Sequence, residues 1–251
     1  MKVHFFGTGS AIPNRERCRS SLAIEAADGT FLLPDCGEMV STGIIRLGVV
    51  PDDVRAVIVT HLHPDHIAGL PLVLQHFQLR GRTKALNVFL PAEGIEAVRE
   101  FLRTVYLGSA MLKFKINFCP IQPDKTFVAD NFSMTFFANK HLAMHAQTRR
   151  LAGETVAGES YSVLISDDRK KLLYSGDIAS VEELRTFLMP GIDALILEYA
   201  HISAEEAVAF AAEPDIPRQV ILTHFHPRCP VDMLPPVSGW ICAFDGMDFT
   251  F

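Results

Sequence analysis

The sequence has little that would attach the protein to a membrane. None of its apolar runs approaches the roughly 18 residues that a membrane-spanning helix needs. The start, MKVHFFGTGSAIP, breaks at two glycines before its apolar run is long enough for a secretory signal. We therefore expect a cytoplasmic protein with no membrane partner. Its 251 residues fit one large domain or two small ones, and its 49% hydrophobic content can fill a sizeable core.

Cysteine is scarce, and its spacing argues against a disulfide framework. The count of five is odd, and no two cysteines form a Cys-x-x-Cys pair. This pattern is typical of reduced thiols in a reducing compartment. We predict that the cysteines are buried small apolar groups and not metal ligands. They are Cys18, Cys36, Cys119, Cys229 and Cys242.

The sequence also lacks an excess of basic residues. It has 23 Lys and Arg against 29 Asp and Glu, which gives a formal net charge of −6. Proteins that coat nucleic acid are usually basic. Local basic clusters exist, including Arg15, Arg17 and Arg19, and they suit a small anionic substrate. Nucleic acid is an alternative partner that the composition does not favour.

Histidine, by contrast, is concentrated in one stretch, VIVTHLHPDHIAGL, at residues 57–70. In an extended segment, His61 and His63 point the same way and can reach one ion. A helix that begins near Asp65 would turn Asp65 and His66 toward a neighbouring position. Four ligands are too many for one four-coordinate ion that keeps an open site. The motif therefore predicts two metal ions.

Other residues with metal-binding or acid–base chemistry also follow strand-like runs. Strand ends are rigid supports, and the loops beyond them are free to carry function. These residues converge only if the strand ends share one edge of a sheet. The residues are Asp35, His61, His141, Asp177, His201 and His224.

The downstream candidates leave alternatives open. His141 ends a clear strand and is preferred to His145 as a ligand of the first ion. His224 is preferred to His226 for the second ion. Asp177 is the candidate bridge between the ions, although a helix cap before VEELRTFL, a predicted helix, is the alternative for this residue.

The segment THLHPDHIAGL resembles the His-x-His-x-Asp-His signature of the metallo-β-lactamase superfamily of hydrolases. The segments FFGTGSAIPNRERCRSS and LLPDCGEM are similar to the opening of ribonuclease Z-like proteins. The ending SGWICAFDGMDF resembles cyclic phosphodiesterases. The resemblance covers nearly the whole chain and implies a single hydrolase domain, 1–251. It also implies an α/β protein, a four-layer αββα sandwich with the metals at one edge of the sheets.

The resemblance also implies a role for each candidate residue. It makes His201 the proton donor and Asp35 the partner that orients a ligating histidine. Asp65 and His201 are the candidate catalytic residues. One ion would be held by His61, His63 and His141, and the other by Asp65, His66 and His224, with Asp177 between them.

The sequence departs from ribonuclease Z in three places. Pro64 stands where that family usually has glycine. The long arm that grips transfer RNA has no obvious counterpart. The segment 142–160 is longer than usual, and we expect it to be a lid or substrate loop. The first two departures favour a small substrate over transfer RNA.

The expected activity is that of a metal-dependent phosphodiesterase. A hydroxide bridging two divalent ions would attack small or cyclic phosphate esters. Zinc is preferred, and manganese or iron also suit these ligands. The alternatives are a ribonuclease Z-like tRNA 3′-endonuclease and a lactone or thioester hydrolase on the same fold. A homodimer is expected by family analogy only.

Overall fold

The computed structural model describes residues 1–228, 237 and 239–251. The chain divides into two compact units, each with one seven-stranded sheet. The first unit comprises Met1–Ile121 and Phe244–Thr250, and the second comprises Gln122–Ala243 with Phe251. That the whole chain behaves as a single domain stays a prediction.

The sheet of the first unit has the strand order β14-β1-β2-β3-β4-β5-β6. Strands β3 to β6 run parallel, whereas β14, β1, β2 and β3 pair antiparallel. The strands are β1 Lys2–Gly7, β2 Ser21–Glu25, β3 Phe31–Pro34, β4 Val54–Ile58, β5 Leu86–Leu90, β6 Ile116–Pro120 and β14 Asp248–Thr250.

The inner strands of this sheet are apolar runs because both of their faces are covered. Every residue of β3 is buried, and four of the five residues of β4 are buried. Parallel strands that are covered on both faces read as continuous apolar runs instead of alternating patterns. The short runs FLLP and VRAVI therefore fit interior positions.

Four α-helices belong to the first unit, and their apolar sides join its core. Ile44 and Leu74 from two of these helices share one buried cluster with Leu33 of β3. The predicted helix that closes at Gly48 is confirmed, since Gly48 adopts a left-handed φ of 73°. The helices are α1 Val40–Leu47, α2 Pro64–Ile67, α3 Leu70–Leu79 and α4 Ile95–Thr104.

The sheet of the second unit has the order β13-β12-β11-β10-β9-β8-β7. The predicted hairpin between YSVLIS and KLLYSG is confirmed as the antiparallel pair β9 and β10. The strands are β7 Thr126–Ala129, β8 Phe132–Ala138, β9 Tyr161–Ser166, β10 Lys171–Tyr174, β11 Ala194–Glu198, β12 Gln219–Thr223 and β13 Trp240–Cys242.

Two segments of the second unit differ in detail from the expected pattern. The segment 142–160 contains a helix, α5 Ala143–Leu151, and its role as a lid or substrate loop stays a prediction. The segment VEELRTFL forms a 3₁₀ helix, Val181–Thr186, instead of an α-helix, and Ser180 with Glu183 closes its start as a capping box. A further α-helix, α6 Ala204–Ala211, begins at a second capping box on Ser203.

Within each unit the strand ends meet as the sequence predicts. In the first unit β3 and β4 are parallel, so Asp35 and His61 follow them at one edge of the sheet. In the second unit β10, β11 and β12 are parallel, and β8 runs the same way because it is antiparallel to β9. The residues that follow these four strands therefore lie at one edge of the second sheet.

The described cysteines only partly match the expectation of burial. Cys36 is buried, whereas Cys18, Cys119 and Cys242 are half-buried, and all four are free thiols. Cys229 lies outside the described residues. In the described part of the chain, no helix has both the length and the apolar character needed to cross a membrane.

Candidate functional site

The histidine motif of the first unit is shaped by a turn from strand to helix. His61 follows β4, and His63 is the extended residue immediately before α2. Pro64 occupies the first turn of α2, where its fixed φ favours helix initiation. The ring centroid of His61 lies 4.7 Å from that of His63 and 4.2 Å from that of His66. The turn therefore gathers three imidazoles.

Asp35 supports this motif from the end of β3. It is fully buried, and its Oδ2 lies 2.8 Å from Nδ1 of His66. Thr60 donates its backbone N–H to Asp35 Oδ1 over 2.9 Å. An Nδ1–H that donates to Asp35 leaves Nε2 as the ligand atom of His66, and this nitrogen lies 3.4 Å from Oδ2 of Asp65. The contact agrees with the predicted orienting role of Asp35.

Asp177 is the centre of a second cluster, in the second unit. Its carboxylate is nearly buried, with a side-chain exposure of 3%. Oδ2 lies 3.2 Å from Nε2 of His224, 3.7 Å from Nε2 of His141 and 3.9 Å from Nδ1 of His201. Each of Asp177, His201 and His224 offers one ligand atom, and these atoms all lie within 4.8 Å of one another.

His201 differs from its neighbours because it is exposed and has a buried partner. Its side chain is 39% exposed, whereas Glu198 at the end of β11 is 1% exposed. Nδ1 of His201 lies 3.1 Å from Oε1 of Glu198. Glu198 Oε2 also accepts the backbone N–H groups of Ala200 and His201. These bonds fix the carboxylate, which in turn orients the imidazole.

Two site residues hold a backbone conformation that side chains other than glycine rarely adopt. Asp35 and His224 both have a φ of 57°. Such residues persist where the surroundings over-determine them, and they cluster at functional sites. In both cases the residue with the positive φ directly follows the last residue of a strand.

The rival histidines lie apart from these contacts. His145 is on α5, exposed, with its ring centroid 6.4 Å from that of His141. Nδ1 of His226 accepts the backbone N–H of Arg228 over 3.0 Å. The clusters of described residues that could hold a metal ion include His141 and His224 but neither His145 nor His226. The assignment of ligands itself stays a prediction.

Sequence reasoning missed several polar residues that support the clusters. Asn139 donates to the backbone oxygen of Asp177 over 2.9 Å, and its Oδ1 accepts the N–H of His141. The Thr60 hydroxyl lies 3.1 Å from Nδ1 of His61. Ser175 accepts the N–H of Glu198 through its hydroxyl. A usable signal was position, because each lies within two residues of a predicted site residue or of a strand end that carries one.

The donor chemistry of each cluster fits a divalent metal ion. Each cluster combines imidazole nitrogens with carboxylate oxygens, which are ligands of zinc, iron and manganese. The carboxylates of Asp35, Asp65 and Asp177 are all buried. Burial of several charges without compensation is costly, and a bound cation supplies such compensation.

One protein family matches most of the chain. Residues 1–227 match the family described as anti-Pycsar protein Apyc1. The chain belongs to this family. Ribonuclease Z of Methanococcus maripaludis strain C6 is 36% identical over 144 residues, which cover 56% of this chain and 46% of that protein. The chain thus spans just under half the length of the first curated relatives that it matches.

A second ribonuclease Z aligns over much more of its length. The protein of Methanothermobacter thermautotrophicus is 27% identical over 273 residues, which cover 91% of this chain and 87% of that protein. Together with the structural likenesses, this relative confirms the resemblance to the ribonuclease Z-like branch of the metallo-β-lactamase superfamily.

Crystal structures of similar chains show the fold. YhfI from Bacillus subtilis, described as a metallo-β-lactamase fold protein, superimposes with a TM-score of 0.77 at 24% identity over 99% of both chains. The short form of human tRNase Z gives a TM-score of 0.71 at 19% identity over 100% of this chain and 99% of that chain. A diphosphatase of the PhnP family gives 0.69 at 17% identity, over 100% and 98% of the two chains. The predicted α/β class and metallo-β-lactamase fold are confirmed.

Proposed function

We propose that the protein is a metal-dependent phosphodiesterase that acts on small or cyclic phosphate esters. The observation that carries this proposal is the cluster around Asp177. A buried carboxylate there lies beside His141 and His224, and His201 stands exposed next to it with Glu198 behind. This arrangement combines metal-binding ligands with an oriented proton donor, and both assist cleavage of a phosphodiester whose leaving group is an alkoxide.

The proposed ligand sets follow the resemblance. His61, His63 and His141 are assigned to one ion, and Asp65, His66 and His224 to a second, with Asp177 shared. Zinc is the preferred metal, with manganese and iron as alternatives. When bound, two divalent ions lower the pKa of water to near 7 and neutralise charge on phosphoryl oxygens.

Side chains of the protein would then hold and orient the protons that the reaction uses. Asp35 keeps the proton of His66 at Nδ1, so that Nε2 faces Asp65. Asp65 would accept a hydrogen bond from the attacking water and help to align it. Both roles depend on buried side chains that are fixed by hydrogen bonds, which is how catalytic groups keep their geometry.

His201 would protonate the leaving oxygen. Glu198 holds Nδ1 of the ring, so a protonated His201 presents its Nε2–H to the substrate. An alkoxide leaves poorly without a proton, and general-acid catalysis of this kind typically contributes about 10²–10⁴-fold. Glu198 stabilises the charged ring and fixes its orientation.

Relatives named ribonuclease Z support a phosphate-ester substrate and also a second candidate, a tRNA 3′-endonuclease. The diphosphatase of the PhnP family, by its name, supports the small-substrate reading. A lactone or thioester hydrolase on the same fold is the alternative in a different bond class, and it has less use for the proton donor at His201. The homodimer stays a prediction.

The first test is turnover of bis(p-nitrophenyl) phosphate by purified protein of known metal content, with zinc or manganese added. We expect metal-dependent hydrolysis that a chelator abolishes and added metal restores. A panel of cyclic nucleotides, ribose cyclic phosphates and precursor tRNA would then separate the small-substrate reading from the endonuclease. A protein that binds two metals, cleaves no phosphodiester in the panel and hydrolyses a lactone or thioester would refute the proposal.

A further inference from the structure

The segment AFDGM near the end of the chain places Asp245 against the start of the chain. Oδ1 of Asp245 accepts the backbone N–H of Thr8 over 2.9 Å and the Thr8 hydroxyl over 2.7 Å. Oδ2 accepts the backbone N–H of Cys18 over 2.5 Å. One carboxylate therefore binds both ends of the loop that joins β1 to β2, residues 8–20.

This β1–β2 loop rises from the edge of the sheet that carries the histidine motif. Strand β1 is antiparallel to β2, and β2 is antiparallel to β3, so β1 ends at the same edge as β3 and β4. Gly37 donates its N–H to Ser20 at the end of the loop over 2.9 Å. The neighbouring Cys36 donates to the backbone oxygen of His66 over 2.7 Å. The loop is therefore joined by backbone hydrogen bonds to the metal motif.

The loop also carries three arginines, Arg15, Arg17 and Arg19. Arg19 pairs with Glu38, and Nη1 of Arg17 donates to the Thr8 hydroxyl over 2.6 Å. Thr8 is fully buried, and its hydroxyl donates to Asp245 while it accepts from Arg17. Asp245 thus acts on the guanidinium of Arg17 through one intervening hydroxyl. A guanidinium presents its donors in a fork that matches phosphate geometry.

We propose that Asp245 is a positioning residue for the binding of the phosphate-ester substrate. It fixes the β1–β2 loop and, through Thr8, sets the position of Arg17 at the edge that carries His61. The substrate class in this inference rests on the proposed function. Asp245 makes no contact with the reacting atoms in this scheme, so its loss weakens substrate binding and leaves the chemical step intact.

A purely structural role for Asp245 would be to attach the end of the chain, and a neighbouring residue does that. Asp248, in β14, pairs with Lys2 over 2.8 Å and with Nδ1 of His4 over 2.7 Å, both on β1. Asp248 therefore attaches the same segment without touching the loop. Asp248→Asn is the matched control for Asp245→Asn.

The test measures kcat and KM for bis(p-nitrophenyl) phosphate in the wild-type holoenzyme and in both variants. Asparagine at 245 keeps one oxygen acceptor but cannot accept the N–H of Cys18 with its amide nitrogen. We expect Asp245→Asn to raise KM about tenfold with kcat within about twofold, since one charge-assisted hydrogen bond is lost. Asp248→Asn should leave both constants within about twofold of wild type.

Thr8→Val tests the connection to Arg17. Valine keeps the shape of threonine and removes the hydroxyl, so KM should rise as it does in Asp245→Asn. Because both substitutions break one chain of hydrogen bonds, the double variant should raise KM far less than the product of the two single effects. If the rise of KM in the double variant equals the product of the two single rises, the connection through Thr8 is wrong.

Hydrogen exchange gives a readout that does not depend on activity. The amides of Thr8 and Cys18 should exchange at least about tenfold faster in Asp245→Asn, with no change in Asp248→Asn. Unchanged exchange at these amides would overturn the inference whatever the protein hydrolyses. An equal rise of KM in both aspartate variants would do the same. A wild-type protein that cleaves no phosphodiester would count against the proposed function instead.

Discussion

One imidazole distinguishes the proposed reaction from hydrolysis of lactones or thioesters. His201 is 39% exposed beside three buried or nearly buried donors, and Glu198 holds its Nδ1 at 3.1 Å. An exposed ring oriented by a buried carboxylate suits a group that donates a proton to substrate better than a purely structural histidine. The proton matters most when the leaving oxygen is strongly basic.

His201→Ala should therefore affect substrates unequally. We expect a loss of about 10²–10⁴-fold in kcat on cyclic nucleotides, whose leaving group is an alkoxide, and a far smaller loss on bis(p-nitrophenyl) phosphate. Metal content is measured in parallel because His201 lies within reach of Asp177. His145→Ala, which removes an exposed histidine of α5, is the control and should change neither rate. Equal losses on both substrates with full metal content would remove His201 from the general-acid role.

Much of the site could be predicted at this scale because histidines and acids crowded into THLHPDHIAGL have few roles other than ligation. Asp35 was found from its place after a predicted strand. Asn139 and Thr60 lie at similar positions, but position alone did not single them out. Their contribution is a set of hydrogen bonds that exist only once the neighbouring strands are paired, and their residue types are common in loops.

At the scale of elements, the failures of prediction have a common cause. Helix α5 buries only Ala146 among its nine residues, so it has no apolar stripe to reveal a helical period. The segment 181–186 has the capping box of a helix, yet it closes as 3₁₀ over six residues. Short elements are stabilised mainly by their surroundings, and sequence patterns record those surroundings poorly.

Gly43 shows how packing can override helix propensity in a single element. It lies within α1, where alanine would be favoured over glycine by about 1 kcal/mol on propensity alone. A Cβ at this position would lie 2.2 Å from Cγ of Phe6, near the rigid root of that ring. Overpacking of a well-packed core typically costs about 1–3 kcal/mol, so the clash should outweigh the gain in propensity.

We therefore expect Gly43→Ala to lower the free energy of unfolding by about 1–2 kcal/mol, measured by urea denaturation. Ser41→Ala, in the same helix, is the control and should change it by less than about 0.5 kcal/mol. A stabilised Gly43→Ala protein would mean that Phe6 moves aside at little cost, and that propensity governs α1.

At the scale of the whole molecule, composition alone predicted a sizeable core and no membrane-spanning helix. The lack of long apolar runs agrees with the described helices, none of which could cross a membrane. The α/β class was implied by the family resemblance, and the two sheets with their helices bear it out. How far the two units unfold together is a property of the whole chain that no local pattern records.

A single domain over 1–251 predicts that the two units unfold in one cooperative transition. The chain has one tryptophan, Trp240, which packs against the buried cluster of the second unit, whereas Gly43 belongs to the first unit. If unfolding is cooperative, Gly43→Ala should lower the urea midpoint reported by Trp240 fluorescence as much as the midpoint reported by far-ultraviolet circular dichroism. If the Trp240 midpoint stays at its wild-type value while circular dichroism shows a separate transition at lower urea, the two units unfold independently.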